Sequence, residues 1–222
     1  MINHNKILKL QTLSFKNALR LHCDSILLFN NKSFPSAYAM SILALEELGK
    51  MYLFDDFLFH RATNQVGTET QITRWLQLMY NHKWKQCKFA SWHWADLPAR
   101  IIRIIESGDL DLAKQNALYV GLPKVRGKPL LKGRINSPFK ISETKAAKQI
   151  TTINDILLEL VLGVIKGTYS LEIDHVDTLF TWELYQSLEN HWEHRSKATA
   201  KILAKLIALE DEPYHKTGKS VS

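Results

Sequence analysis

Along most of the chain, apolar residues recur at the three- and four-residue spacing of amphipathic helices. Between Lys6 and Asn30, Leu10, Leu13, Ala18, Leu21, Ile26 and the pair Leu28/Phe29 mark a loose stripe, closed by polar Asn30-Asn31-Lys32. Ser33 is a candidate N-cap and Pro35 suits the first turn of a second helix, which the pattern carries to about Arg61. That second segment is apolar nearly all round, which places it in the middle of a bundle. Thr68-Glu69-Thr70-Gln71 has the form of a capping box, predicting a third helix from there through about Ala90. Asp96 with Pro98 opens a short helix ending at Ser107-Gly108, and Asp109 caps another reaching about Leu118. From Tyr119 to Ile141 the period is lost, and three Gly and three Pro replace it. So long a connection is unusual in a compact domain unless it serves a function. Ser142-Glu143 restarts a helix with Ile150, Ile153, Leu157, Leu160, Val161 and Val164 at helical spacing. A last long helix is expected from about Asp174 to Leu209, before a polar tail at Pro213–Ser222. The expectation is an all-α helical bundle, one domain over residues 1–212, with an irregular basic loop at 119–141.

Composition agrees with this picture. Gly and Pro number 9 and 6 in 222 residues, well under the roughly 12% of average usage, which favours long helices over turn-rich β structure. The purest apolar stretch, Ala37 to Leu45, has nine residues, still contains Ser41 and falls far short of the ~18 residues of a membrane span. No signal-peptide pattern follows Met1. Cys23 and Cys87 form no CxxC pair, which argues against a disulfide scaffold or Cys-rich zinc site and points to the cytoplasm. The excess of 29 Lys+Arg over 22 Asp+Glu, +7, has an address. Between Gly121 and Lys148 stand Lys124, Arg126, Lys128, Lys132, Arg134, Lys140, Lys145 and Lys148 against Glu143 alone, so this stretch carries the whole excess. Charge concentrated in one Gly/Pro-rich loop suits an anionic partner such as RNA, with Lys124, Arg126, Lys128, Lys132 and Arg134 as the candidate contacts. A loop that is merely solvated is the alternative.

Within the second helix, Ala44-Leu45-Glu46-Glu47-Leu48-Gly49-Lys50 concentrates charge on a greasy segment. Glu46 and Glu47 lie four and three residues before Lys50, so all three can meet on one flank. A buried charge is costly unless paired, so the cluster serves either as a structural ion pair or as a site. Gly49 inside a helix suggests a close helix crossing. Asn81-His82-Lys83-Trp84-Lys85 places His82 and Lys85 on one face, a proton-transfer group beside a phosphate-binding one, or else a solvated basic face. His191 and His194 share helical spacing that suits a metal, though no further ligand is evident; Trp92-His93-Trp94 suits base stacking or a core. There is no P-loop, GxSxG, HExxH or dinucleotide fingerprint, and neither a metal nor a cofactor is assigned.

Three stretches together carry a family resemblance. Asn17-Ala18, then Ser36-Ala37-Tyr38 through Ile42-Leu43-Ala44-Leu45-Glu46-Glu47-Leu48-Gly49-Lys50, resembles the AbiV family of bacterial abortive-infection proteins, within the HEPN group of helical domains. His82-Lys83-Trp84-Lys85 is similar to its His-x-x-Lys element, and Ala117-Leu118-Tyr119-Val120 to its Leu-Tyr-Val-Asp element, with Gly121 where the family has Asp. The similarity spans roughly residues 10 to 165. It implies anti-phage defence in which an infected cell arrests growth or translation. It also implies a homodimer paired through helices. Many HEPN domains are ribonucleases using Arg, four to six residues, then His; here Arg74 and His82 are separated by seven.

Three functional readings follow. In the first, metal-independent RNA cleavage uses His82 as general acid or base, Glu46 or Glu47 as its partner, and Lys50 and Lys85 on the phosphate, with Tyr119 beside them. In the second, a non-catalytic module docks RNA, the ribosome or a phage-derived protein trigger through the basic loop. In the third, Glu46, Glu47 and His82 hold a metal.

Overall fold

The computed structural model describes residues 4–63, 68–93, 97–122, 124–125 and 128–209, with the side chains of 124, 125, 128 and 129 excepted. Helix α1 spans His4–Asn30, α2 Phe34–Ala62, α3 Glu69–Leu78, α4 His82–Trp92, α5 Ala99–Ser107 and α6 Asp109–Leu118. A two-residue antiparallel hairpin follows, β1 at Lys124–Val125 and β2 at Lys128–Pro129. A 3-10 turn at Pro138–Lys140 leads into α7, Glu143–Ile165. The chain closes with α8 Val176–Leu179, α9 Trp182–His191 and α10 Lys197–Ile207. The architecture is all-α, and α2 is its central post, packed along α1 and crossed by α4, α6 and α7.

Composition explains that centrality. Ala37, Ile42, Leu45, Leu48, Met51, Tyr52 and Phe57 are wholly buried on α2, around more of its circumference than a surface helix would hide. The main core joins Phe15, Ile42, Leu48, Phe89, Ile153 and Leu157, and a smaller cluster at one end joins Ile7, Phe54, Phe57 and Ile72. Tyr52 stacks on Trp92 and its hydroxyl meets buried His93 at 2.8 Å. Trp92 and His93 therefore belong to the core; Trp94 lies outside the described residues, as do Asp96 and the polar tail.

Two predicted helices are divided. The segment expected to run from Thr68 to about Ala90 does begin with the capping box, Thr68 Oγ1 accepting from Gln71 N and Gln71 Oε1 from Thr68 N. It ends at Leu78, however, and Asn81 accepts from Trp84 N at 3.2 Å to open α4. This second cap puts His82 in a first helical turn instead of mid-helix. The segment expected from Asp174 to Leu209 is divided too, because Thr181 caps Leu184 N and Ser196 caps Thr199 N. His191 closes α9 and turns Nδ1 onto Ser187 O, while His194 lies beyond the helix with its ring edge on Trp192. The helical spacing expected of the two imidazoles is therefore absent. Ser33 precedes α2, but its side chain makes no capping bond. Among the described residues no helix is long and apolar enough to cross a membrane.

Candidate functional site

The crossing of α2 and α4 is made close by a missing side chain. A Cβ built on Gly49 would lie 1.9 Å from the Lys85 carbonyl oxygen, so only glycine lets the two backbones approach this far. That approach brings the first turns of α4 over Glu46, which is 1% exposed.

Four groups converge on this one carboxylate. His82 Nδ1 stands 2.6 Å from Oε2, Gln86 Nε2 donates to Oε1 at 2.8 Å, and Lys114 Nζ from α6 donates to Oε1 at 2.6 Å. Lys85 Nζ completes the ring at 3.6 Å from Oε2. Lys114 also pairs with Asp111, one turn earlier on α6, at 2.9 Å. Burial pulls the Lys114 ammonium down, but its hydrogen bonds and charge contacts with Glu46 and Asp111 outweigh that and hold it above the ordinary lysine value. Buried Glu46 and half-buried Asp111 thus balance two buried lysines, and each charge of the cluster has a partner.

The carboxylate sets the histidine tautomer. Glu46 Oε2 at 2.6 Å and Lys114 Nζ at 3.3 Å both face His82 Nδ1; the carboxylate makes the shorter contact and can only accept, which assigns the neutral ring's proton to Nδ1 and its lone pair to Nε2. The His82 side chain is 53% exposed, so a fixed imidazole stands at the edge of a buried ionic cluster. The arrangement can accept or return a proton at Nε2 and can present lysine charge to an anion nearby.

Not every anticipated residue joins it. Glu46, His82 and Lys85 come together. Glu47 and Lys50, half-buried on the other flank of α2, pair with each other at 3.5 Å, so Lys50 does not meet Glu46 as the four-residue spacing suggested. Tyr119 caps the end of α6 with its ring mostly exposed. Lys132 and Arg134 are exposed on the 119–141 loop; Lys124 and Lys128 sit in the hairpin with undescribed side chains, and Arg126 lies outside the described residues. Gly121 pairs through its backbone with Asn136, bracing the loop at its base.

Sequence reasoning passed over Gln86, Asp111 and Lys114. Gln86 follows His82 by four residues and so shares its face, and Lys114 lies one turn before Ala117-Leu118-Tyr119. Phe139, 91% exposed, was also passed over and stands among the loop's cations. Glu46, His82 and Asp111 bring ligand atoms within 4.8 Å of one another, a spacing a metal could use. Lys114 already stands between the two carboxylates, so the donor set fits an ammonium and a divalent ion would have to displace it.

The all-α bundle, with a buried Glu on its central helix facing a His-x-x-Lys turn, is consistent with a HEPN-like helical domain, the class to which the matching family model assigns the chain. The family model described as AbiV matches residues 6–159, and the chain belongs to that family. No curated protein and no solved structure matches it. Family membership suggests a role in abortive infection, a form of defence against phage.

Proposed function

We propose that the protein arrests infected cells by metal-independent cleavage of RNA at the His82 site. The carrying observation is the 2.6 Å contact between buried Glu46 and His82 Nδ1, which fixes the ring and leaves Nε2 as the base. His82 Nε2 takes the proton of a ribose 2′-hydroxyl as that oxygen bonds to the adjacent phosphorus. The P–O5′ bond breaks, the 5′ oxygen takes a proton from solvent, and a 2′,3′-cyclic phosphate remains. Lys85, three residues after His82 on the same turn of α4, supplies positive charge to the phosphate. Glu46 and Lys114 act as positioning residues. The exposed rings of Tyr119 and Phe139, with Lys132 and Arg134, offer stacking and charge to a single strand. A cytoplasmic homodimer, an RNA or ribosomal target and a phage-derived protein trigger complete the reading.

The test is purified protein with cellular RNA in chelator, beside His82→Ala. Cleavage by wild type alone, leaving cyclic phosphate ends, is expected; equal degradation by both defeats the proposal.

A second reading rests on the dryness of the cluster, since Lys85 and Lys114 are buried along with Glu46. Here the ions only hold the fold, and the basic loop of a non-catalytic module docks RNA, the ribosome or a protein. Growth arrest that survives His82→Ala but not charge reversal of the loop selects this reading.

A further inference from the structure

Lys114 stands where two assignments of the His82 proton meet. Its Nζ lies 2.6 Å from Glu46 Oε1, 2.9 Å from Asp111 Oδ1 and 3.3 Å from His82 Nδ1. An ammonium has three N–H donors and no acceptor, so each of these atoms can take one of them. A second hydrogen-bond arrangement of the same residues is therefore complete. In it Nδ1 holds the lone pair and accepts from Lys114, Nε2 carries the proton, and Glu46 Oε2 turns to Lys85, 3.6 Å away. A ring in that form cannot take a proton at Nε2, the nitrogen that the proposed cleavage uses.

Asp111 separates the two arrangements. It lies one turn before Lys114 on α6, its side chain 29% exposed. Both of its oxygens are engaged, Oδ1 by Lys114 and Oδ2 by Gln115 Nε2 at 2.9 Å, so the carboxylate is fixed along α6. With Glu46 it gives the ammonium two acceptors of opposite charge, which a neutral ring nitrogen is not. Without the Asp111 charge, Nδ1 becomes the next acceptor for Lys114. Glu46 would then face two lysines alone, and its Oε2 is the atom that Lys85 would draw away from His82.

We propose that Asp111 is a positioning residue for the His82 tautomer: by holding Lys114 it leaves Nδ1–H to Glu46 and keeps the lone pair on Nε2. It acts through Lys114, not on the ring. The tautomer follows from the cluster alone, whereas its consequence for RNA rests on the cleavage reading.

Proton–nitrogen correlation NMR of the full chain with isotope-labelled histidine, at a pH where imidazole is neutral, reads the tautomer. The His82 signals are those lost in His82→Ala. Wild type is expected in the Nδ1–H form. Asp111→Asn keeps the shape and removes the charge, and is expected to shift His82 toward the Nε2–H form; Asp111→Ser repeats the loss of charge with a smaller side chain. Asp111→Glu should retain the wild-type signals. Adding Lys114→Met to Asp111→Asn removes the competing donor and should restore the Nδ1–H form. In RNA cleavage Asp111→Asn should lower kcat about tenfold with KM little changed, because the base is lost and binding is not. The proposal is overturned by a wild-type ring in the Nε2–H form, by neutral variants whose His82 signals match wild type, by an equal shift in Asp111→Glu, or by a shift that survives Lys114→Met. The expected shifts in a protein that cleaves no RNA uphold the role of Asp111 and defeat the cleavage reading. An unshifted ring in a protein that does cleave RNA defeats the role of Asp111 alone.

Discussion

Where α2, α4 and α6 cross, buried Glu46, Lys85 and Lys114 and half-buried Asp111 form one chain of ion pairs, and each charge has a partner. In the 119–141 loop Lys132 and Arg134 stand in solvent with no ion pair among the described residues. The same residue types therefore do opposite work. Buried charges are held by their partners and hold the fold in turn, whereas exposed charges are free for an external anion. A substitution in the first region should be read mainly in stability, and one in the second mainly in binding.

The largest effect is expected from Glu46→Ala. It strips Lys85 of its carboxylate and leaves Lys114 only Asp111, so unfolding free energy in urea should fall by about 3–5 kcal/mol. A loss under about 1 kcal/mol would break the comparison, because buried pairs that can be opened so cheaply are not holding the fold.

Acid should act next, through histidines outside the cluster. Burial pushes His22, bonded to Asn154, and His93, bonded to Tyr52, down to about 4. Their folded values lie below the unfolded 6.5, so the unfolded chain binds the extra protons. Their contribution is intact above that value and is lost as pH falls toward 4, roughly 2 kcal/mol per histidine by about pH 5. Urea melts across this window should show the slope, and His22→Gln/His93→Gln should flatten it. An unchanged slope would remove these two groups as its cause.

Gly49→Ala comes third. Its Cβ has no room against the Lys85 carbonyl, so α4 must move off α2 at a cost of about 1–3 kcal/mol, as in other overpacked cores. If the crossing is what sets His82 on Glu46, RNA cleavage should fall further than the stability change explains. Retained cleavage at a lowered melting temperature would confine Gly49 to packing.

Charge reversal in the loop should cost least. Lys132→Glu/Arg134→Glu is expected to change stability by no more than about 0.5 kcal/mol. Its effect belongs to binding, where removal of two phosphate contacts should flatten the log–log salt slope for single-stranded RNA by at least roughly 1.4. An unaltered slope would take the loop out of the RNA interface.

The helical character, the central place of α2 and the irregular loop were all legible, because each follows from periodicity or its loss. The capping box at Thr68 and the tight crossing at Gly49 were legible for local reasons as well. Asn81, Thr181 and Ser196 are not legible as helix starts, since the apolar pattern runs across them while their caps divide the backbone. In the site, the Glu47–Lys50 pair follows from spacing, yet the partners of Glu46 lie 36 to 68 residues away.

The sequence alone determined which segments coil, which helix must be hidden, and that the chain's entire charge excess lies between Gly121 and Lys148. Only the tertiary structure decided that Glu46 turns inward to His82, Gln86 and Lys114 while Glu47 and Lys50 keep to each other. The physical reason is range. Helical period and capping are set within a few residues, whereas the pairing of a buried charge depends on which distant helix the packing brings within reach.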